Sequence, residues 1–133
     1  MKGKDDGHGL YAGQWKDGLK EGCGIKYWPD GGLLACFWEK GRAQGQGWYL
    51  TSCGGVYRGE FKCNRLHGQG IFIHEDGSKY EGQWDNDMKN GQGIETLSDG
   101  SSYKGAYLDN RRHGYGVYRW PDGTTYSGDW HLN

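Results

Sequence analysis

A chain of 133 residues with a formal net charge of -1 is long enough for one domain, and its balance of charge nominates neither nucleic acid nor an anionic membrane as partner. The 27 glycines and a mean hydropathy of -0.98 would alone describe a disordered chain, yet 7 tryptophans and 10 tyrosines supply the large apolar contacts that can hold a sheet together. No apolar run reaches membrane-spanning length and the start Met1-Lys2-Gly3-Lys4 is no signal peptide, so the expectation is a soluble cytoplasmic protein.

After a lead-in over residues 1–10, the chain repeats itself. The segments Tyr11-Ala12-Gly13-Gln14-Trp15, Leu34-Ala35-Cys36-Phe37-Trp38, Tyr57-Arg58-Gly59-Glu60-Phe61, Tyr80-Glu81-Gly82-Gln83-Trp84, Tyr103-Lys104-Gly105-Ala106-Tyr107 and Tyr126-Ser127-Gly128-Asp129-Trp130 each begin 23 residues after the one before. The pairs Gly22/Gly24, Gly45/Gly47, Gly68/Gly70, Gly91/Gly93 and Gly114/Gly116 keep the same step. A fixed period of this length is the signature of a repeat architecture. The array therefore runs over residues 11–133, with units starting at 11, 34, 57, 80 and 103 and a partial unit at 126.

Within a unit, Tyr-x-Gly-x-Trp alternates with the period of a strand, which places the rings and the glycine on one face. A second strand runs through Gly-x-Gly into an apolar residue: Ile25, Trp48, Ile71, Ile94 or Val117. Polar turns such as Asp17-Gly18 and Asp109-Asn110 join the two strands, while Pro29-Asp30-Gly31, Glu75-Asp76-Gly77 and Pro121-Asp122-Gly123 join one unit to the next. Because the period is odd, the two loops must differ by an odd number of residues if every unit is to show the same side. A two-residue loop alternating with a three-residue loop ending in a glycine bulge satisfies this, and puts Gly22 and Gly24 on the face of Tyr11 and Trp15. The opposite face takes the polar residues of first strands and the aliphatic row of second strands. The fold predicted is all-β, an elongated single-layer twisted antiparallel meander of about eleven strands spanning roughly 50 Å, stabilised by stacking between neighbouring hairpins.

This pattern resembles the MORN (membrane occupation and recognition nexus) repeat, from Tyr11 to Trp130. The second unit departs from it, with Leu34 for tyrosine, Cys36 for glycine and Cys53 for aspartate. The resemblance implies a structural scaffold or assembly protein, of the cytoskeleton or cilium. An alternative it implies is a phospholipid-associated or regulatory module of a larger protein such as a lipid kinase.

A single-layer sheet cannot hide both faces, and a large exposed aromatic area marks an interaction site. The protein-binding face expected on that ground comprises Tyr11, Trp15, Trp38, Tyr57, Phe61, Tyr80, Trp84, Tyr103, Tyr107, Tyr126 and Trp130, with a linear partner laid along it and self-association through the array ends as a further expectation. The loops within units, carrying Lys16, Lys20, Lys89, Arg111 and Arg112, form a basic rim, and those between units, with Asp30, Asp76, Asp99 and Asp122, an acidic one. The basic rim encloses no phosphate cradle, so lipid binding is expected to be weak. No nucleophile, base and orienting group occur together, and the recurrent Gly-x-Gly lacks the setting of a nucleotide loop. No enzyme activity or cofactor is expected. A metal site from Cys63, His67 and His113 is unfavoured, because same-phase residues two units apart stand about 19 Å from each other. The four cysteines lack a pairing pattern and are expected to be reduced.

Overall fold

The computed structural model describes residues 4–5 and 9–131. Among them there is no helix, and the strands run in chain order through one antiparallel sheet. They are β1 (Lys4–Asp5), β2 (Leu10–Lys16), β3 (Leu19–Tyr27), β4 (Leu33–Glu39), β5 (Arg42–Leu50), β6 (Val56–Lys62), β7 (Arg65–Ile73), β8 (Lys79–Asp85), β9 (Met88–Thr96), β10 (Ser102–Leu108), β11 (Arg111–Arg119) and β12 (Thr125–Trp130). β1 pairs with β2 through Lys4 and Asp5, and the eleven strands from β2 to β12 are those of the repeat.

Both predicted turns are present. Lys16 pairs with Leu19 across Asp17-Gly18, whose φ angles of 52° and 78° are both positive. That is the two-residue turn whose twist matches the flanking strands. Between units, the Gly31 amide donates to the Trp28 carbonyl and the Trp28 amide to the Gly32 carbonyl, each at 3.0 Å. The three-residue loop Pro29-Asp30-Gly31 is thereby closed, and the Asp30 carboxylate accepts from the Gly32 amide at 2.9 Å. Where Cys53 replaces the aspartate, the Thr51 hydroxyl accepts from the Gly55 amide at 2.8 Å instead.

The reading of Gly22 needs correction. Second strands have nine residues and first strands seven, and the excess forms a bulge: Gly13 pairs with Gly24 but Trp15 with Lys20. Gly22 lies in the bulge with φ of 71°, and a Cβ there would run into the Gln14 side chain on the opposite face. Only Gly24 shares the side of Tyr11. Units three to five carry the same bulge after Gly59, Gly82 and Gly105, and it adds two residues, so the alternation of faces survives. The residue after the first-strand glycine braces it: Gln83 Oε1 accepts from the Gln92 amide at 2.7 Å, as Glu60 Oε2 does from the Gln69 amide.

Successive hairpins are also clamped at the turn. The Asn64 side chain accepts from the Ala43 amide at 2.7 Å while the Asn64 amide donates to the Ala43 carbonyl at 3.1 Å. Asp87 does the same to Leu66, and Asn110 to Lys89. These reciprocal bonds link units two to three, three to four and four to five, while at the first junction the Gly41 amide donates to the Lys20 carbonyl at 2.9 Å, and together they realise the nearest-neighbour stacking expected of a linear array.

Candidate functional site

A row of glycines crosses the sheet in lateral register, Gly47 to Gly59 to Gly70 to Gly82 to Gly93. On one side of that row each repeat tyrosine lies flat. A Cβ added to Gly93 would come within 2.5 Å of the Tyr80 ring, so the ring occupies the space that only glycine leaves. The Tyr80 hydroxyl donates to the Gln83 carbonyl at 2.8 Å, and Tyr11, Tyr57 and Tyr103 make the equivalent bond three residues on at 2.9 Å. Edge-on rings flank each tyrosine. For Tyr80 these are Trp84, with centroids 5.1 Å apart, and Tyr107 of the following unit, at 5.0 Å. Where the flanking ring is a tryptophan, its indole reaches back to the glycine row: Trp84 Nε1 donates to the Gly70 carbonyl at 3.1 Å, as Trp38 does to Gly24.

These contacts overturn the expected exposure of the aromatic ladder. Tyr11, Tyr57, Tyr80 and Tyr103 are wholly buried, and Trp38, Phe61, Trp84 and Tyr107 are buried as well. Trp15 and Trp130 are partly buried, and only Tyr126, on the edge strand β12, stands exposed at 45%. The rings from Tyr11 to Tyr107 that are buried in this way, with Leu34, Cys36, Ala43 and Leu66, are the protein's core. Burial accordingly pushes the Tyr80 hydroxyl up to about 12 and raises those of Tyr57 and Tyr107 further. Burial also lifts the Cys36 thiol, in the glycine row of the degenerate unit, to about 12. All four cysteines are free.

The surface of this face comes from other residues. After each Gly-x-Gly, the second strand turns one side chain onto the tyrosine face beside the core rings: Lys26, Tyr49, Phe72, Glu95 or Tyr118. Next to these lie the residues that open the inter-unit loops, with Trp28 5.9 Å from Tyr49, His74 4.7 Å from Phe72 and Trp120 4.8 Å from Tyr118. A partly exposed aromatic stripe results, displaced along the strands from the one expected. Its signal in the sequence is the second residue after Gly-x-Gly, which shares parity with the glycines.

Three cations assigned above to the basic rim also belong here. Lys20 Nζ lies over Tyr11, Trp15 and Trp38 at 5.4, 5.8 and 5.6 Å. Lys89 Nζ lies 5.0 Å from the Tyr80 ring, and the Arg112 guanidinium 5.1 Å from Tyr103, 5.2 Å from Tyr118 and 5.6 Å from Trp130. Desolvation lowers the Lys89 pKa. Arg112 Nη2 and the Tyr107 hydroxyl donate to Glu95 Oε1 at 3.0 and 2.9 Å. Burial opposes the Glu95 charge, but the Tyr107 bond and the Lys89 and Arg112 charges outweigh it and hold the carboxyl below its usual value.

In the second and third units this position is taken by Ala43 and Leu66, and the face becomes apolar. Leu34 stands where the other units have tyrosine. Beside it opens a cavity of about 460 Å³ lined by Lys20, Trp28, Leu34, Tyr49, Phe61 and Leu66 among others. Its walls are rings and aliphatic chains, with Lys20 and Lys26 at one side and Asp87 at another. Asp87 Oδ1 already accepts from the Leu66 amide at 2.8 Å. The suggested metal ligands do not converge: His67 lies 3.6 Å from Asp85, His113 faces His131, and no group of three metal-ligating side chains forms among the described residues.

A model of the MORN repeat family matches residues 11–33, 37–52, 57–79, 80–102 and 103–125. The interruption between 33 and 37 falls on Leu34 and Cys36, where the second unit departs from the pattern. No curated protein sequence matches the chain. Among solved structures it is similar to the SAS-4 (dCPAP) TCP domain in complex with a proline-rich motif of Ana2 (dSTIL) of Drosophila melanogaster, at 15% identity and a TM-score of 0.42, over 80% of this chain and 71% of that one.

Proposed function

Since the chain belongs to the MORN repeat family, we propose that it is a scaffold or assembly protein that holds a protein partner along its tyrosine-bearing face. The observation that carries this reading is the cavity of about 460 Å³ beside Leu34, walled by rings and aliphatic chains and bordered by Lys20, Lys26, Asn64 and Asp87. It lies on a short stripe of half-buried rings, Trp28, Tyr49 and Phe72, of which Tyr49 on β5 and Phe72 on β7 stand two strands, or roughly 9.6 Å, apart. A segment running across the strands meets Trp28, Tyr49 and Phe72 in turn and can place one bulky side chain in the cavity. Sites of this kind, mostly apolar with a few polar groups at the margin, bind side chains and small ligands by shape. The buried ladder contributes indirectly: it fixes the positions of the rings above it.

A cytoskeletal or ciliary setting is the context this reading proposes, in keeping with the family resemblance. The regulatory alternative shares the same surface, with the array holding a neighbouring domain of a longer protein in place of a separate partner.

The test is capture of the partner from native extract with folded variants, followed by binding of the identified partner. Tyr49→Ala and Phe72→Ala should each weaken binding at least tenfold, because aromatic anchors dominate interface energies. Arg65→Ala, at the exposed start of β7 beside the turn, should leave binding within twofold. Loss of binding on Arg65→Ala with no effect of Tyr49→Ala would assign recognition to the loops.

A further inference from the structure

The ring ladder on the tyrosine side follows a rule that the second unit breaks. Trp84 stands edge-on between Tyr57 and Tyr80, at 5.5 and 5.1 Å, and Tyr107 between Tyr80 and Tyr103, at 5.0 and 5.3 Å. By the same 23-residue step, the rings that flank position 34 are Trp38 and Phe61. Trp38 meets Tyr11 at 5.5 Å and Phe61 meets Tyr57 at 5.3 Å, but the position they share is Leu34. One ring of the ladder is missing there.

The side chain that covers the ring is cut short in the same unit. Lys20, Lys89 and Arg112 lie over Tyr11, Tyr80 and Tyr103. Their strand position is held by Leu66 in the third unit and by Ala43 in the second. The cavity of about 460 Å³ opens where both truncations coincide. Leu34, Trp38 and Phe61, all buried, are its floor, and Trp28, Tyr49 and Leu66 stand around them.

Charge at the margin narrows the choice of occupant. Lys20 and Lys26 border the cavity from β3, and Asp87 borders it from the turn between β8 and β9. A cationic side chain would meet two ammonium groups against one carboxylate. An anion would have to leave water for a floor of hydrocarbon and ring carbon, at a high desolvation cost. A neutral ring with a donor at its edge suits all three groups. Ammonium groups attract the π face, as Lys20 Nζ already does 5.6 Å from the Trp38 ring and Lys26 Nζ 5.5 Å from Trp28. Asp87 Oδ1 accepts from the Leu66 amide at 2.8 Å, and a carboxylate has acceptor capacity for further donors.

We infer that the cavity is the anchor site for a tyrosine or tryptophan side chain of the partner, its ring laid against Leu34, Trp38 and Phe61 and its hydroxyl or indole N–H directed to Asp87. The partner supplies the ring that the second unit lacks. The inference rests on the reading that a protein segment lies along this face, and it names the chemistry by which that segment is held.

The side-chain analogues p-cresol and 3-methylindole, titrated into the full chain and followed by the indole N–H resonances of Trp28 and Trp38, test it without the partner. Both should give saturable shifts with dissociation constants on the order of 1 mM, a modest demand on ligands of this size. Butylammonium should bind at least tenfold more weakly. Two variants refill the cavity: Leu34→Tyr with Cys36→Gly restores the ring of the repeat over its glycine, and Ala43→Leu copies Leu66. Each should weaken both probes at least tenfold, with thermal melts showing a folded array. Asp87→Asn keeps an acceptor for the Leu66 amide, and should weaken p-cresol about threefold while leaving toluene unchanged. Absence of saturable shifts overturns the inference. So do undiminished binding in both refilled variants, butylammonium binding as tightly as p-cresol, and an equal response of p-cresol and toluene to Asp87→Asn. Phe72 does not line this cavity, so partner binding lost on Phe72→Ala, with no probe bound by wild type, would keep the docking face and remove only the aromatic anchor.

Discussion

The glycine row bears the tyrosine core, and Gly82→Val against Gln83→Val measures how much depends on it. An added Cβ at Gly82 would stand 2.5 Å from the Gly93 Cα, 2.6 Å from the Gln92 carbonyl oxygen and 2.8 Å from the Tyr80 hydroxyl. Two of these are backbone atoms of β9, so the strand itself must move. Overpacking of this kind costs about 1–3 kcal/mol, and displacing Tyr80 removes its 2.8 Å bond to the Gln83 carbonyl, worth another ~1 kcal/mol. Gln83→Val acts on the other face, where it deletes only the brace from Gln83 Oε1 to the Gln92 amide, at about 1 kcal/mol. The expected difference of about 2 kcal/mol corresponds to a gap of roughly 8 °C between the two melting midpoints for a domain of this size. Thermal melts followed at an aromatic wavelength and in the far ultraviolet give the comparison. Equal midpoints would refute the assignment of Gly82 to the tyrosine side.

Two further outcomes follow from the hydrogen-bond geometry. Asn64→Gly keeps a residue that accepts the φ of 71° but removes the side-chain bond to the Ala43 amide, and chemical denaturation should show a loss of about 1 kcal/mol. Glu95→Gln weakens the cluster with Arg112 and Tyr107 by about 1–2 kcal/mol at neutral pH. Because the folded pKa of Glu95 lies below its ordinary 4.5, the contribution is full above that value and is lost as pH falls through the lower folded one. The stability gap between wild type and Glu95→Gln should therefore close in acid, and a gap constant from neutral pH down to complete unfolding would contradict the ion-pair account.

The strands and both loops were legible in the sequence because period and turn chemistry are local: Asp17-Gly18 and Pro29-Asp30-Gly31 announce their conformations by residue type. The bulge at Gly22 was not, since two extra residues on the longer strand preserve the alternation and leave no mark in the pattern of rings. The larger error concerned exposure. In a single-layer sheet the Tyr-x-Gly-x-Trp rings were expected to face solvent, but glycine in the neighbouring strand lets Tyr80 lie flat, and Trp84 and Tyr107 close over it edge-on. A sheet with a row of glycines can thus build a core on one of its own faces. Once those rings are packed, the exposed role passes to residues such as Tyr49 and Phe72, whose position after Gly-x-Gly was read only as strand. On the face opposite the tyrosines, the apolar row that Leu10, Tyr27, Leu33, Leu50, Val56 and Ile73 form across β2 to β7 was missed for a related reason. It repeats over three units and then stops, so it is visible only when the lateral register is known.

Protein binding along the tyrosine-bearing face is tested most directly by hydroxyl-radical footprinting of the array with and without its purified partner. Binding should reduce oxidation of Trp28, Tyr49 and Phe72, leaving that of Tyr115, 62% exposed on the opposite face, unchanged. Protection of Tyr115 with undiminished oxidation of Tyr49 and Phe72 would contradict the assignment of the partner to this face.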